Sequence, residues 1–219
     1  FDPLRFAISR QAAVDMASSL LLSINPWGDL KSAYETPLSF AIHLGDEAGA
    51  TCICQALEIA RQHERVPNEM IDRVFDLAAS SPTFSAVVGR DPQTEPLRVA
   101  SGITLIKVGG AHLDLPTAGA APDSINQRIA LGLIRMMVFG SSAALTGRRG
   151  VLHLDEAWTF LGAGASEVER LGRLARSQLV LPMLYTQRVR DAVEAGLTGY
   201  ISRGLIMSIE DPTEARLAC

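Results

Sequence analysis

Apolar residues recur along this chain with two periods, and the order in which the periods alternate predicts its architecture. From Gln11 to Ile24 the residues Val14, Ala17, Leu20, Leu21 and Ile24 fall on one helical face. Asn25-Pro26 then closes that helix. Pro37 to Ser81 carries mostly helical signals. Within it Cys52 to Ile59 is apolar at helical spacing, and Asn68 to Ala79 sets Ile71, Val74, Phe75 and Ala78 on one side, with Pro67 at its start. This region reads as an all-helical insert over 28–96, bounded by Trp27-Gly28 and by the polar run from Asp91 to Pro96.

Short β-branched and apolar runs enclose the insert. Phe1-Asp2-Pro3 reads as the end of a strand, and Ile103 to Val108 as another, stopped by Gly109-Gly110. Ser124-Ile125-Asn126-Gln127 has the form of a capping box and opens a helix expected to run through Val138. Val151 to Leu154 is a buried strand of a parallel sheet by its pattern. A second capping box, Ser166 to Glu169, starts a helix ending near Arg176. Leu179 to Tyr185 is a further strand, Arg190 to Leu197 a short helix, and Leu205 to Ile209 a last strand. Strands alternating with helices predict an α/β fold with a mostly parallel sheet, built from 1–27 and 97–219 around the insert.

Composition changes this picture little. With 219 residues, 47% hydrophobic and 20% charged, the chain can bury a full core and is not disordered. A net charge of −4 gives no bulk signal for nucleic acid, so any contact with DNA would be local. The only lysines are Lys31 and Lys107. Cys52, Cys54 and Cys219 form neither a zinc pattern nor a disulfide framework, which points to a reducing, cytosolic compartment. Ile129 to Leu145 comes nearest to a membrane span, but Arg135 at its centre favours a buried core helix. A chain that begins at Phe1 rather than methionine is expected to be a piece of something longer.

The chemistry concentrates where the central strand ends. Val151-Leu152-His153-Leu154 runs straight into Asp155-Glu156. This is the pattern of a Walker B strand, whose Asp holds magnesium on nucleotide phosphates. The adjacent Glu156 is placed to take a proton from the attacking water. Gln187 closes a second strand, as Asp155 does the first, and an amide there can sense the terminal phosphate or hold the water. Arg170, Arg173 and Arg176 share one side of a helix. Arg176, with Arg203 as the alternative, is the candidate to reach phosphate in a neighbouring subunit. Glu169 pairing Arg173 on a solvated face is the plainer account of that helix. His153 is expected to be a core histidine. His43, His63 and His112 lack metal-ligand spacing, and Ser177 and Ser202 lack a hydrolase triad.

The stretch VLHLDEAWTFLG, followed by ERLGRLARSQLVLPMLYTQ, resembles the ATPases of type IV secretion and conjugative transfer. These VirB/Tra-class motors belong with the hexameric DNA-pumping ATPases of the HerA and FtsK type. The resemblance implies a RecA-like P-loop NTPase sheet flanked by helices and the use of ATP and magnesium. It assigns Asp155 to magnesium (through water), Asp155, Glu156 and Gln187 to the nucleotide, and Glu156, Gln187, Arg176 and Arg203 to catalysis. It implies a homo-oligomer, a hexamer, working with membrane-embedded secretion-channel components and, in one branch, on DNA. It also implies a cytoplasmic location against the inner face of the bacterial cell membrane. The chain departs from the family in one large respect: it holds no GxxxxGK[ST] loop, and neither lysine follows a glycine. The family's Arg-Lys or Arg-Arg pair is here Arg176-Ser177. A fragment without its phosphate loop, inactive alone, is the expectation. A double-stranded DNA translocase of the same superfamily and a non-catalytic ATPase-fold scaffold are the alternatives. The joint presence of Asp155, Glu156 and Gln187 argues against the scaffold.

Overall fold

The computed structural model describes residues 2–5, 9–90, 101–106, 113–116, 120–155, 157, 179–186, 188–194, 204–205, 209 and 211–218. These form an α/β arrangement that is mostly helical, with one two-stranded parallel sheet. The helices are α1 (Arg10–Ile24), α2 (Lys31–Glu47), α3 (Ile53–Ala60), α4 (Asn68–Ser80), α5 (Pro82–Val88) and α6 (Ile125–Leu145). After them come β1 (Gly150–Leu154), β2 (Val180–Leu184), α7 (Val189–Glu194) and α8 (Pro212–Ala218).

α1 is the axis of the helical layer. Ser9 caps its start by accepting the Ala12 N–H, and Asn25 ends it in the left-handed region at φ 54°. Ala17, Leu20, Leu21 and Ile24 are fully buried, as the apolar stripe predicts. α2 and α6 both pack on α1. Gly132 lets α6 come close, since a Cβ there would lie 2.9 Å from Leu20 Cδ1. Arg128 of α6 donates from Nε to the Ile24 carbonyl at 2.7 Å, supplying a partner and a positive charge to the end of α1.

The helices of 28–90 do not stand apart from α1 and α6. Leu20, Ile42, Leu57, Ile71, Phe84 and Met136 belong to one continuous core. Trp27, expected at a boundary, is a core residue; its Nε1 donates to the Met70 carbonyl at 2.9 Å and its ring meets Tyr34 edge-on. Asp2 is buried and joins distant elements: its carboxylate accepts the Leu4 N–H at 2.9 Å and the Ile53 N–H at 2.7 Å, capping α3 from 51 residues away. Desolvation raises its pKa to about 6, against the opposing pull of those two N–H groups and Arg5.

Several expectations need correction. Pro3–Arg5 is a turn of 3-10 helix, not a strand end, because Asp2 folds back onto α3. Of the expected strand Ile103 to Val108, 103–106 are described and pair with no strand among the described residues; Ile103 and Leu105 are exposed, and 107–108 fall outside the described residues. α6 continues past Val138 to Leu145, because Gly140, Ser141 and Ser142 are small enough to be buried rather than to break the helix. It is long and apolar enough to cross a membrane, yet just over half of its most apolar stretch is buried inside the protein. β1 is not buried on both faces: Leu154 is buried, while Val151 and His153 are exposed. Of the expected last strand, Leu205 and Ile209 are described and lie in no ladder; 206–208 fall outside the described residues.

Candidate active site

The site is built by the two strands. β1 and β2 run parallel and in register, from Gly150 opposite Val180 to Leu154 opposite Leu184. Parallel neighbours need a crossover of a dozen residues or more, which the chain between the strands supplies. In-register pairing brings both carboxyl ends out at one edge, where ligands of open α/β sheets collect. The tie continues past the strands: Tyr185 N–H donates to the Leu154 carbonyl at 3.0 Å, and Ala157 N–H to the Tyr185 carbonyl at 2.7 Å. Asp155 therefore leaves β1 beside Tyr185, exposed, in a backbone held on both sides.

One face of this pair is covered. Leu152, Leu154, Val180 and Leu184 pack with Val138 and Leu145 of α6 in a small second core. The opposite face carries Val151, His153, Leu181, Met183 and Tyr185, all exposed. His153 is thus a surface residue, not a core one: its Nδ1 lies 2.8 Å from Tyr185 Oη, and the two rings stack at 5.7 Å. The rule that alternate strand residues share a face could have found this pair, since in-register strands set His153 diagonal to Tyr185. It needed the register, which the sequence alone does not give.

Beyond β2, Thr186 Oγ1 donates to the Arg188 carbonyl at 3.1 Å and accepts the Arg188 N–H at 3.2 Å, making a tight turn at the strand end. Below it, Arg190 N–H and Nε both meet the buried Glu214 carboxylate, joining α7 to α8. The sequence reading did not include α8. Asp211 caps it by accepting the Thr213 N–H at 2.7 Å, a bond that also lowers the Asp211 pKa, and Pro212 takes the first helical position.

Of the predicted site residues, the described structure places Asp155 at the common strand edge. Glu156, Gln187, Arg176 and Arg203 lie outside the described residues, as do Arg170 and Arg173. Among the described residues no three His, Cys, Asp or Glu side chains come together as metal ligands. A single exposed carboxylate suits magnesium, which keeps several waters and is held by one or two carboxylates plus substrate phosphates. No protein-family model, curated protein or solved structure matches the chain.

Proposed function

We propose that these residues form the Walker B part of a RecA-like ATPase that powers type IV secretion or conjugative transfer. One observation carries this reading: β1 and β2 are adjacent, parallel and in register, so Asp155 and the Tyr185-Thr186 end of β2 emerge together. A motor of this class needs that juxtaposition, because the group that holds the phosphates' metal and the group that senses the γ-phosphate sit on neighbouring strands.

In this reading Asp155 holds magnesium through water, and the ion neutralises charge on the phosphates. Glu156 accepts the proton of the water that attacks the γ-phosphorus. Gln187 orients that water or senses the phosphate's departure. Arg176, or Arg203, reaches the phosphates of a neighbouring subunit. The 219 residues hold no GxxxxGK[ST] loop, so the backbone amides and lysine that cradle the β- and γ-phosphates would come from outside them. The same gap favours one other reading, an ATPase fold kept as a scaffold.

The test is steady-state hydrolysis and nucleotide binding by the protein in which this chain is joined to such a loop. Glu156→Gln is expected to keep magnesium-ATP binding and to lose at least a hundredfold in turnover, roughly the contribution of a general base. Asp155→Ala is expected to weaken magnesium-dependent binding instead. Hydrolysis by Glu156→Gln at the parent's rate would falsify the Walker B assignment. A parent that binds no nucleotide would leave the scaffold.

A further inference from the structure

The two outer edges of the strand pair differ in what they offer. Tyr185 N–H donates to the Leu154 carbonyl, and Leu152 lies opposite Pro182 in the register. Along a strand of a parallel ladder, one residue turns its N–H and C=O to the neighbour and the next turns them away. Leu152 and Leu154 therefore face β2, while Val151 and His153 direct their backbone groups outwards. On β2 the residues facing outwards are Val180, Pro182 and Leu184, and Pro182 has no N–H to give. A proline at that position blunts the outer edge of β2. The outer edge of β1 has no such device. Val151 and His153 are exposed, and among the described residues no strand pairs with them on that side.

Charge along this edge says what fits it. Arg149 precedes β1 and Asp155 follows it, both exposed. They stand three residues to either side of Leu152, with opposite charge. A second β1 laid parallel and in register would set Arg149 against Arg149. Laid antiparallel and centred on Leu152, it sets each Arg149 against the other copy's Asp155, and each Val151 against the other copy's His153. Val151 and His153 both turn their backbone outwards, so each such pair can exchange both N–H···O=C bonds.

We propose that the outer edge of β1 binds a second copy of this chain, antiparallel and centred on Leu152. The same patch serves both copies, so the contact is two-fold and closes on itself. Strands of five residues bury less than the roughly 1,200 Å2 of a standard interface, so the dimer is a weak one. The pairing rests on the edge of β1 and is independent of the ATPase reading.

Sedimentation equilibrium at low salt and high micromolar concentration tests it, and a monomer–dimer equilibrium is expected. Val151→Pro should abolish the dimer and leave the unfolding midpoint unchanged, because no described residue accepts the N–H it removes. Arg149→Glu and Asp155→Arg should each weaken the dimer about tenfold, by setting like charges opposite one another. The double variant, which exchanges the two charges, should restore it. A monomeric wild type overturns the proposal; if Val151→Pro then lowers the unfolding midpoint, the edge belongs to a segment of the same chain. A dimer that survives Val151→Pro overturns it by placing the contact elsewhere, such as the exposed face of Leu181, Met183 and Tyr185. A double variant that dimerises no better than the single ones overturns the antiparallel pairing.

Discussion

Gly45 sets how closely α2 and α3 approach, and replacing it with alanine measures that closeness. A Cβ built on Gly45 would lie 2.7 Å from the Ala56 carbonyl oxygen, with the Ala56 Cα and Cβ nearer still. Ordinary contacts sit at about 3.5–4.0 Å, so the two helices would have to separate by roughly 1 Å. The interface they would open includes Ile42, Ile53 and Leu57, all fully buried. Overpacking typically costs about 1–3 kcal/mol, and a clash against backbone belongs at the upper end. Against this, alanine gains about 1 kcal/mol over glycine in a helix interior. The net expectation is a loss of about 2 kcal/mol. With a urea slope of about 2.5 kcal/mol per molar, the unfolding midpoint should fall by about 0.8 M. Ala56→Gly in the same chain should restore little, since it removes the Cβ but leaves the Cα and the carbonyl. Equal or greater stability of Gly45→Ala would refute the reasoning. Full rescue by Ala56→Gly would show the obstruction to be side chain rather than backbone.

Two further outcomes follow from other parts of the structure. The folded-state pKa of Asp2 is raised from 3.8 to about 6, so its contribution to stability is fully present below about pH 4 and lost as pH rises through 6. That rise corresponds to about 3 kcal/mol, with Arg5 and the capped N–H groups opposing it and Cys52, Cys54 and Arg90 nearby; denaturation at pH 4.5 and 7 should show a fall that Asp2→Asn abolishes. Under the proposed ATPase reading, Arg176→Ala should cut turnover by on the order of a thousandfold while sparing nucleotide binding by an isolated subunit. Mixing it with Glu156→Gln should restore some activity; no recovery in rings shown to be mixed would transfer the role to Arg203.

Periodicity revealed what local chemistry determines. The stripe of α1, the face of α4 and the start of α6 were all legible, because a helical repeat and a cap are written within a few residues. Even there the cap differs in detail: Ser124 accepts the Gln127 N–H, but the Gln127 side chain accepts from Asp123 rather than from Ser124. Both strands were also legible, being short apolar runs with turn residues beside them. What failed was non-local. His153 looked buried because a strand read alone does not say which face a helix will cover, and α6 covers the side of Leu152 and Leu154. Ile103 to Ile106 looked like a strand because β-branching reports compatibility with a ladder, not the presence of a neighbour. Asp2 looked like a strand end because the amide it caps lies in α3. At the candidate site, the sequence named residue types and the pairing of β1 with β2 supplies their common edge, for Asp155 alone among the predicted residues.

α6 reaches both cores without a break. Ile129, Leu133 and Met136 are anchored in the helical layer, and Val138, two residues on, sits beneath the strands. Its 21 residues make a rod of about 30 Å. Close-packed interiors compress little, so a displacement of the helical layer along this rod is not absorbed on the way. It arrives under Leu154, one residue from Asp155, as mechanical strain at the edge where phosphate chemistry is proposed.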